Sequence, residues 1–209
     1  MNTDTPASRS KLLSDWLAIA RALRLFFLLA LVISALFFIF WWDSRCASPF
    51  IEEGPTEFIQ TGLLVLCTAI LFFRACRSPE NRRALVLIGG LTGCMLIREQ
   101  DYFLDILSHG CWKWPALALA FCCIAYACTS LRRTLSGLAA FVQGKSFPLF
   151  LAGLAIVLFY SRLFGTTLLW KELIPCGEWR MAKTAMEESS ELLGYSFMLL
   201  SLLFHREKE

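Results

Sequence analysis

Six acids, Glu57, Glu99, Asp101, Glu187, Glu188 and Glu191, and three bases, Arg98, Arg162 and Lys183, lie inside or at the ends of strongly apolar stretches of this chain. Charged groups are costly in lipid, and within spanning segments they mark pathways or sites. Their spacing gathers them. Lys183, Glu187 and Glu191 are successive i, i+4 neighbours on a helix, with Glu188 beside them and Tyr195 one turn further on. Arg98, Asp101 and Asp105 follow one another at three and four residues, with Glu99 adjacent, so one continuous helix would carry them as a stripe. After Pro55, which suits a first helical turn, Glu57, Gln60 and Thr61 share a face. Tyr160, Ser161 and Arg162 come from another stretch at a depth that meets the rest.

The acids outnumber the bases, so something must supply positive charge. Protonated carboxylates are one solution, suited to proton transfer. A divalent cation is the other, and all-oxygen ligation favours Mg²⁺, Ca²⁺ or Mn²⁺. Glu53, Glu57, Asp101, Asp105, Glu188 and Glu191 are its expected ligands. With Glu57, Glu99, Asp101, Glu187, Glu188 and Glu191 as catalytic carboxylates and Arg98, Ser161, Arg162, Lys183 and Tyr195 binding substrate, the fitting chemistry is metal-assisted hydrolysis or transfer on a phosphate-bearing lipid or other anionic substrate.

The alternative is a non-enzymatic membrane protein, a proton-coupled carrier, sensor or structural subunit, whose buried charges form a protonation relay or fix helix packing. Carboxylates in a first helical turn, such as Glu52, Glu53 and Glu178, suit the helix dipole without any function. Acids at the C-terminal end of a helix do not, so Glu99, Asp101 and Asp105 need a cationic partner, with Arg98 nearest and Arg162 and Lys183 behind it.

Glu53-Gly54-Pro55-Thr56-Glu57-Phe58-Ile59 resembles the ExxxE-containing segment of the undecaprenyl pyrophosphate phosphatases, and Ser161-Arg162 is similar to the Ser-Arg of that family's second motif. The resemblance covers these two segments. It implies metal-linked roles for Glu53 and Glu57 and phosphate contact for Arg162.

The elements that must position these residues follow from composition. Of 209 residues, 57% are hydrophobic and only 18% charged, against about 45–50% and about 25% in soluble domains. This excludes a disordered chain, a coiled coil and a nucleic-acid binder with a broad basic surface. About 20 apolar residues cross a bilayer. On that count residues 25–42, 56–73, 84–107, 114–131, 147–170 and 181–204 predict six spans, a single all-α polytopic bundle over 25–204. The longest connections, 43–55, 74–83 and 132–146, read as loops. The first span, followed by Trp41-Trp42-Asp43 rather than a small-residue cleavage site, is expected to be retained.

Basic residues flanking spans stay cytoplasmic. Thirteen basic and five acidic residues fall on one side of this topology, and seven basic and twelve acidic on the other. Both termini, including the tail 205–209, are therefore expected inside a bacterial-type cytoplasmic membrane. Trp41, Trp42, Trp112, Trp114, Trp170 and Trp179 at the opposite boundaries agree. The segment 1–24 is expected to carry an amphipathic interfacial helix, with Leu12, Leu13, Trp16, Leu17 and Leu23 toward lipid and Lys11, Asp15, Arg21 and Arg24 toward water.

The nine cysteines show no metal-ligand spacing, and most read as apolar filler; Cys46, Cys111 and Cys176 occupy different outer loops, where two of the three could pair. His109 and His205 fall on opposite sides, which disfavours a His-rich metal site, and there is no haem, flavin or nucleotide signature. The expected partners are the bilayer and a lipid-linked or anionic substrate, not nucleic acid.

Overall fold

Apolar runs without internal proline wind into helices, and in lipid each must satisfy its own backbone. A computed structural model describes residues 6–43, 45, 54–105, 110–174, 177 and 179–204, and among these there is no strand. The chain divides into two compact units, Met1–Phe38 and Ile39–Glu209. Helix α1, Pro6–Asp43, fills the described part of the first unit and ends in the second. It is unbroken at Arg24, so the expected interfacial segment and the first apolar stretch share one helix.

Within the second unit, α2 (Pro55–Arg77) starts where Pro55 fixes the first turn, after an extended Gly54. Asp43, only 1% exposed, caps it. The Thr56 backbone N–H donates to Asp43 Oδ2 over 3.3 Å, and the Thr56 hydroxyl donates to the same oxygen. A turn over 78–81 leads into α3 (Arg82–Glu99), then come α4 (Asp101–Asp105), α5 (Lys113–Cys128), α6 (Leu131–Val142) and α7 (Phe147–Ala155). A π turn, Ile156–Tyr160, joins α7 to α8 (Ser161–Phe164), followed by α9 (Thr167–Leu173) and α10 (Trp179–Phe204).

Helix α2 is central, between α3 and α10; α5 and α6 cover α3, while α7 to α9 cover α10. Leu64, Cys67, Leu71 and Ala75 on α2 repeat at helical spacing and meet Leu85, Ile88 and Met95, Phe141 and Phe150, and Tyr195, Met198 and Leu202 in one buried cluster. Where lipid tails are as apolar as the core, small residues that let backbones approach do much of the packing. A Cβ on Gly153 would lie 2.5 Å from the Gly194 carbonyl oxygen, and one on Gly90 2.6 Å from Cys123 Sγ.

Three described helices are long and apolar enough to cross a membrane, Lys11–Asp43, Pro55–Arg77 and Phe147–Phe164; the bent pair α5 and α6 would make a fourth. Helices also form at the third and sixth expected spans, but α3 carries Arg82, Arg83, Arg98 and Glu99, and α10 carries its own row of acids.

Four sequence expectations change. The stretch 84–107 is not one helix: α3 stops at Glu99 and the Gln100 N–H turns back to the Ile97 carbonyl over 3.2 Å. The stretch 114–131 ends at Cys128, and the chain bends by 105° into α6. Thr134 fixes that corner by donating to the Ala127 carbonyl at 2.7 Å and to the Ser130 carbonyl at 3.2 Å. Most of the expected loop 132–146 is therefore helix, because Thr134, Gly137 and Phe141 recur on one face and are buried. Finally, 147–170 breaks at Gly165-Thr166, and Trp170 sits on α9 with its indole N–H donating to the Phe164 carbonyl across the break, at 2.5 Å.

Candidate functional site

The π turn and the breaks at Gln100 and Gly165-Thr166 adjoin the charged residues. In the π turn the Ser161 backbone N–H bonds back five residues to the Ile156 carbonyl. The Ser161 hydroxyl donates to the Val157 carbonyl at 2.7 Å and also reaches Glu191 Oε1 at 3.3 Å. π turns recur at functional sites. Here the turn aims both Ser161 and Arg162 at α10.

Glu191 is the centre of the cluster. Its Oε1 receives Arg98 Nη2 at 3.2 Å and Arg162 Nη2 in a close ion pair, besides the Ser161 hydroxyl. The Glu191 side chain is 5% exposed, whereas those of Arg98 and Arg162 are 32% and 47% exposed. Arg98 Nη2 also donates to Glu99 Oε1 at 2.6 Å, and the buried Tyr195 hydroxyl donates to the same Glu99 oxygen at 2.6 Å. On the far side of Arg162, Glu187 lies 3.7 Å from Nη1 and pairs with Lys183 Nζ at 3.0 Å. A Cβ on Gly165 would meet the Glu187 carboxylate, so a larger residue there would push that side chain aside from its place beside Arg162 and Lys183.

Gln60 brings α2 into the group. Its amide Nε2 donates to both Glu188 Oε2 at 2.8 Å and the Glu188 carbonyl at 2.9 Å. The next residue on α2, Thr61, accepts from Gln100 Nε2 at 2.9 Å.

The geometry therefore joins Arg98, Glu99, Ser161, Arg162, Lys183, Glu187, Glu188, Glu191 and Tyr195 in one layer. Asp101 does not join: the helix break moves it into α4, where it is exposed, so the stripe expected with Arg98 does not form. Glu57 lies half-buried in the first turn of α2. Glu53 and the Asp105 side chain lie outside the described residues, as do Cys46 and Cys176; Cys111 has a free thiol. Sequence reading placed Gln60 on the right face but gave it no role. An amide three residues after Glu57 in an apolar run was the available signal.

Of the expected cation ligands, Glu57, Asp101, Glu188 and Glu191 have described side chains, and they do not gather around one point. Among the described residues no three His, Cys, Asp or Glu side chains are grouped to hold a metal ion, and Glu191 faces two guanidinium groups that would repel a divalent cation. Four carboxylates, Glu99, Glu187, Glu188 and Glu191, against Arg98, Arg162 and Lys183 leave a surplus of one negative charge, smaller than the sequence implied.

No family model, curated protein or solved structure matches the chain. The likeness to undecaprenyl pyrophosphate phosphatases thus rests on its two short segments alone.

Proposed function

We propose that this is a six-span cytoplasmic-membrane protein, both termini inside, with a site in the outer half of the bundle that binds the anionic group of a phosphate-bearing lipid or similar substrate for hydrolysis or transfer. In this reading α3, α5 and α10 are crossings too, with Arg98 and Glu99 of α3 turned to Glu191 and Tyr195 of α10 rather than to lipid. One observation carries the binding step: two partly exposed arginines, Arg98 and Arg162, converge on a single oxygen of the buried Glu191. Two guanidinium groups aimed at one point match phosphoryl oxygens. Glu191 then holds the place of the substrate's anion. On binding, the phosphoryl group takes the guanidinium donors, and the displaced Glu191 carboxylate stands beside it as proton acceptor for an attacking water or hydroxyl.

The test uses the detergent-purified protein with phosphatidate, phosphatidylglycerol, a polyprenyl phosphate and uncharged diacylglycerol, reading thermal stabilisation and phosphate or alcohol release with and without divalent cations. Stabilisation by the phosphate-bearing lipids only, lost in Arg162→Lys, is the expected result. Equal stabilisation by diacylglycerol would refute the reading.

A second reading has its own support, because these contacts link different helices: Gln60 on α2, Arg98 on α3 and Arg162 on α8 all reach α10. In that case the layer fixes helix register or relays protons in a non-enzymatic protein. Arg162→Ala would then lower stability while leaving every lipid response unchanged.

A further inference from the structure

Beside the arginine pair lies a polar group of opposite character, Gln60 with Glu188. Gln60 is fully buried, and its amide spends both donors on Glu188 while no donor among the described residues reaches its Oε1. A buried acceptor left unmet is costly, so such an atom points to a missing partner. Glu188 enters no ion pair among the described residues, and the charged groups acting on it, Glu191, Glu99 and Glu187, are all negative. A proton on Glu188 would remove the surplus charge but not the defect at Gln60, which turns Nε2 and not Oε1 to that carboxylate.

Resting on the anion-binding reading above, we propose that the ligand is a phosphate ester bearing a primary ammonium, the phosphoethanolamine class. Its phosphoryl oxygens lie at Arg98 and Arg162, and its ammonium lies between Glu188 and Gln60 Oε1. Glu188 and Glu191 are three residues apart on α10 and so are neighbours on one helix face, about 5–6 Å between Cβ atoms. The two-carbon bridge of ethanolamine suits that separation. An ammonium with N–H donors answers both the surplus charge and the orphaned oxygen, whereas a quaternary ammonium answers the charge but has no donor for the oxygen.

The experiment compares short-chain phosphatidylethanolamine, phosphatidylcholine and phosphatidylglycerol, and free phosphoethanolamine, by calorimetric titration of the full chain in detergent. Phosphatidylethanolamine is expected to bind about tenfold more tightly than phosphatidylcholine, about 1.4 kcal/mol, and Gln60→Leu to erase that preference. Equal affinity for all three lipids, or a preference that survives in Gln60→Leu, overturns this proposal and leaves the anion site standing. Failure of every phosphate-bearing ligand overturns both. Binding of free phosphoethanolamine as tight as that of the lipid supports the proposal with a soluble source; binding of the lipid alone supports it with a headgroup. Should Gln60→Leu not fold, the comparison of ethanolamine with choline lipid on the unaltered chain decides by itself.

Discussion

Replacing Gly153 by alanine tests whether close helix contact holds the charged layer in place. The added Cβ would sit 2.5 Å from the Gly194 carbonyl oxygen, 2.9 Å from Met198 Cγ and 3.0 Å from the Met198 nitrogen. Two of these atoms are backbone and cannot swing aside. Ordinary contact begins at 3.4 Å, so α7 and α10 must part by about 0.9 Å. Ser161, whose hydroxyl is already 3.3 Å from Glu191 Oε1, follows the same helix pair and would pass out of hydrogen-bond range. Overpacking of this kind costs about 1–3 kcal/mol, partly offset by alanine's helix propensity of about 1 kcal/mol over glycine. At about 2–4 °C per kcal/mol for a chain of this size, a loss of roughly 4 °C in Tm is expected. Gly62→Ala is the control, since nothing lies within 4 Å of its Cβ, and it should hold or raise Tm. Differential scanning fluorimetry in one detergent compares the two. If Gly153→Ala melts with Gly62→Ala, the helices are not packed at that distance and the reasoning fails.

Glu191→Ala should depress both stability and phosphate-lipid binding, while Asp101→Ala, exposed on α4, should change Tm by no more than about 0.5 kcal/mol equivalent; equal effects in thermal and binding assays would contradict the site's composition. Tyr195→Phe removes the donor to Glu99 and should cost about 1 kcal/mol by thermal unfolding, with an unchanged Tm counting against that hydrogen bond. Single-cysteine variants test the topology. Cys111 should react with a membrane-impermeant maleimide in intact cells, and Cys76, exposed near the basic end of α2, only after permeabilisation.

Within α10, spacing was a sufficient guide because the helix is continuous. Lys183 and Glu187, expected as i, i+4 neighbours, pair at 3.0 Å. The same rule misassigned Asp101 because it assumed that α3 runs past Gln100. Neither glycine nor proline marks that break, and the contact found there, Gln100 Nε2 to Thr61 on α2, joins residues 39 apart that no local pattern links. Gly165-Thr166 is a break signal within an apolar run that composition alone reads as one span. Helix α6 reads as a loop because Arg132 and Arg133 within it and Lys145 beyond it give the stretch a loop's charge, although Thr134, Gly137 and Phe141 have helical spacing. Gln60 could be placed on its face from sequence, but its partner lies 128 residues away and no local pattern names it.

The π turn at Ile156–Tyr160 makes the address of two site residues a matter of counting rather than chemistry. Each residue of an α-helix advances the chain by about 100°. Winding these same residues as ordinary α-helix, with none removed, would swing Ser161 and Arg162 by roughly that angle, away from Glu191; the one extra residue held in the wide turn keeps them where they are. The apolar surface of the helix would barely change in composition, yet the guanidinium of Arg162 would be delivered to another face. The site is thus guarded by the length of a five-residue stretch whose own side chains take no part in it.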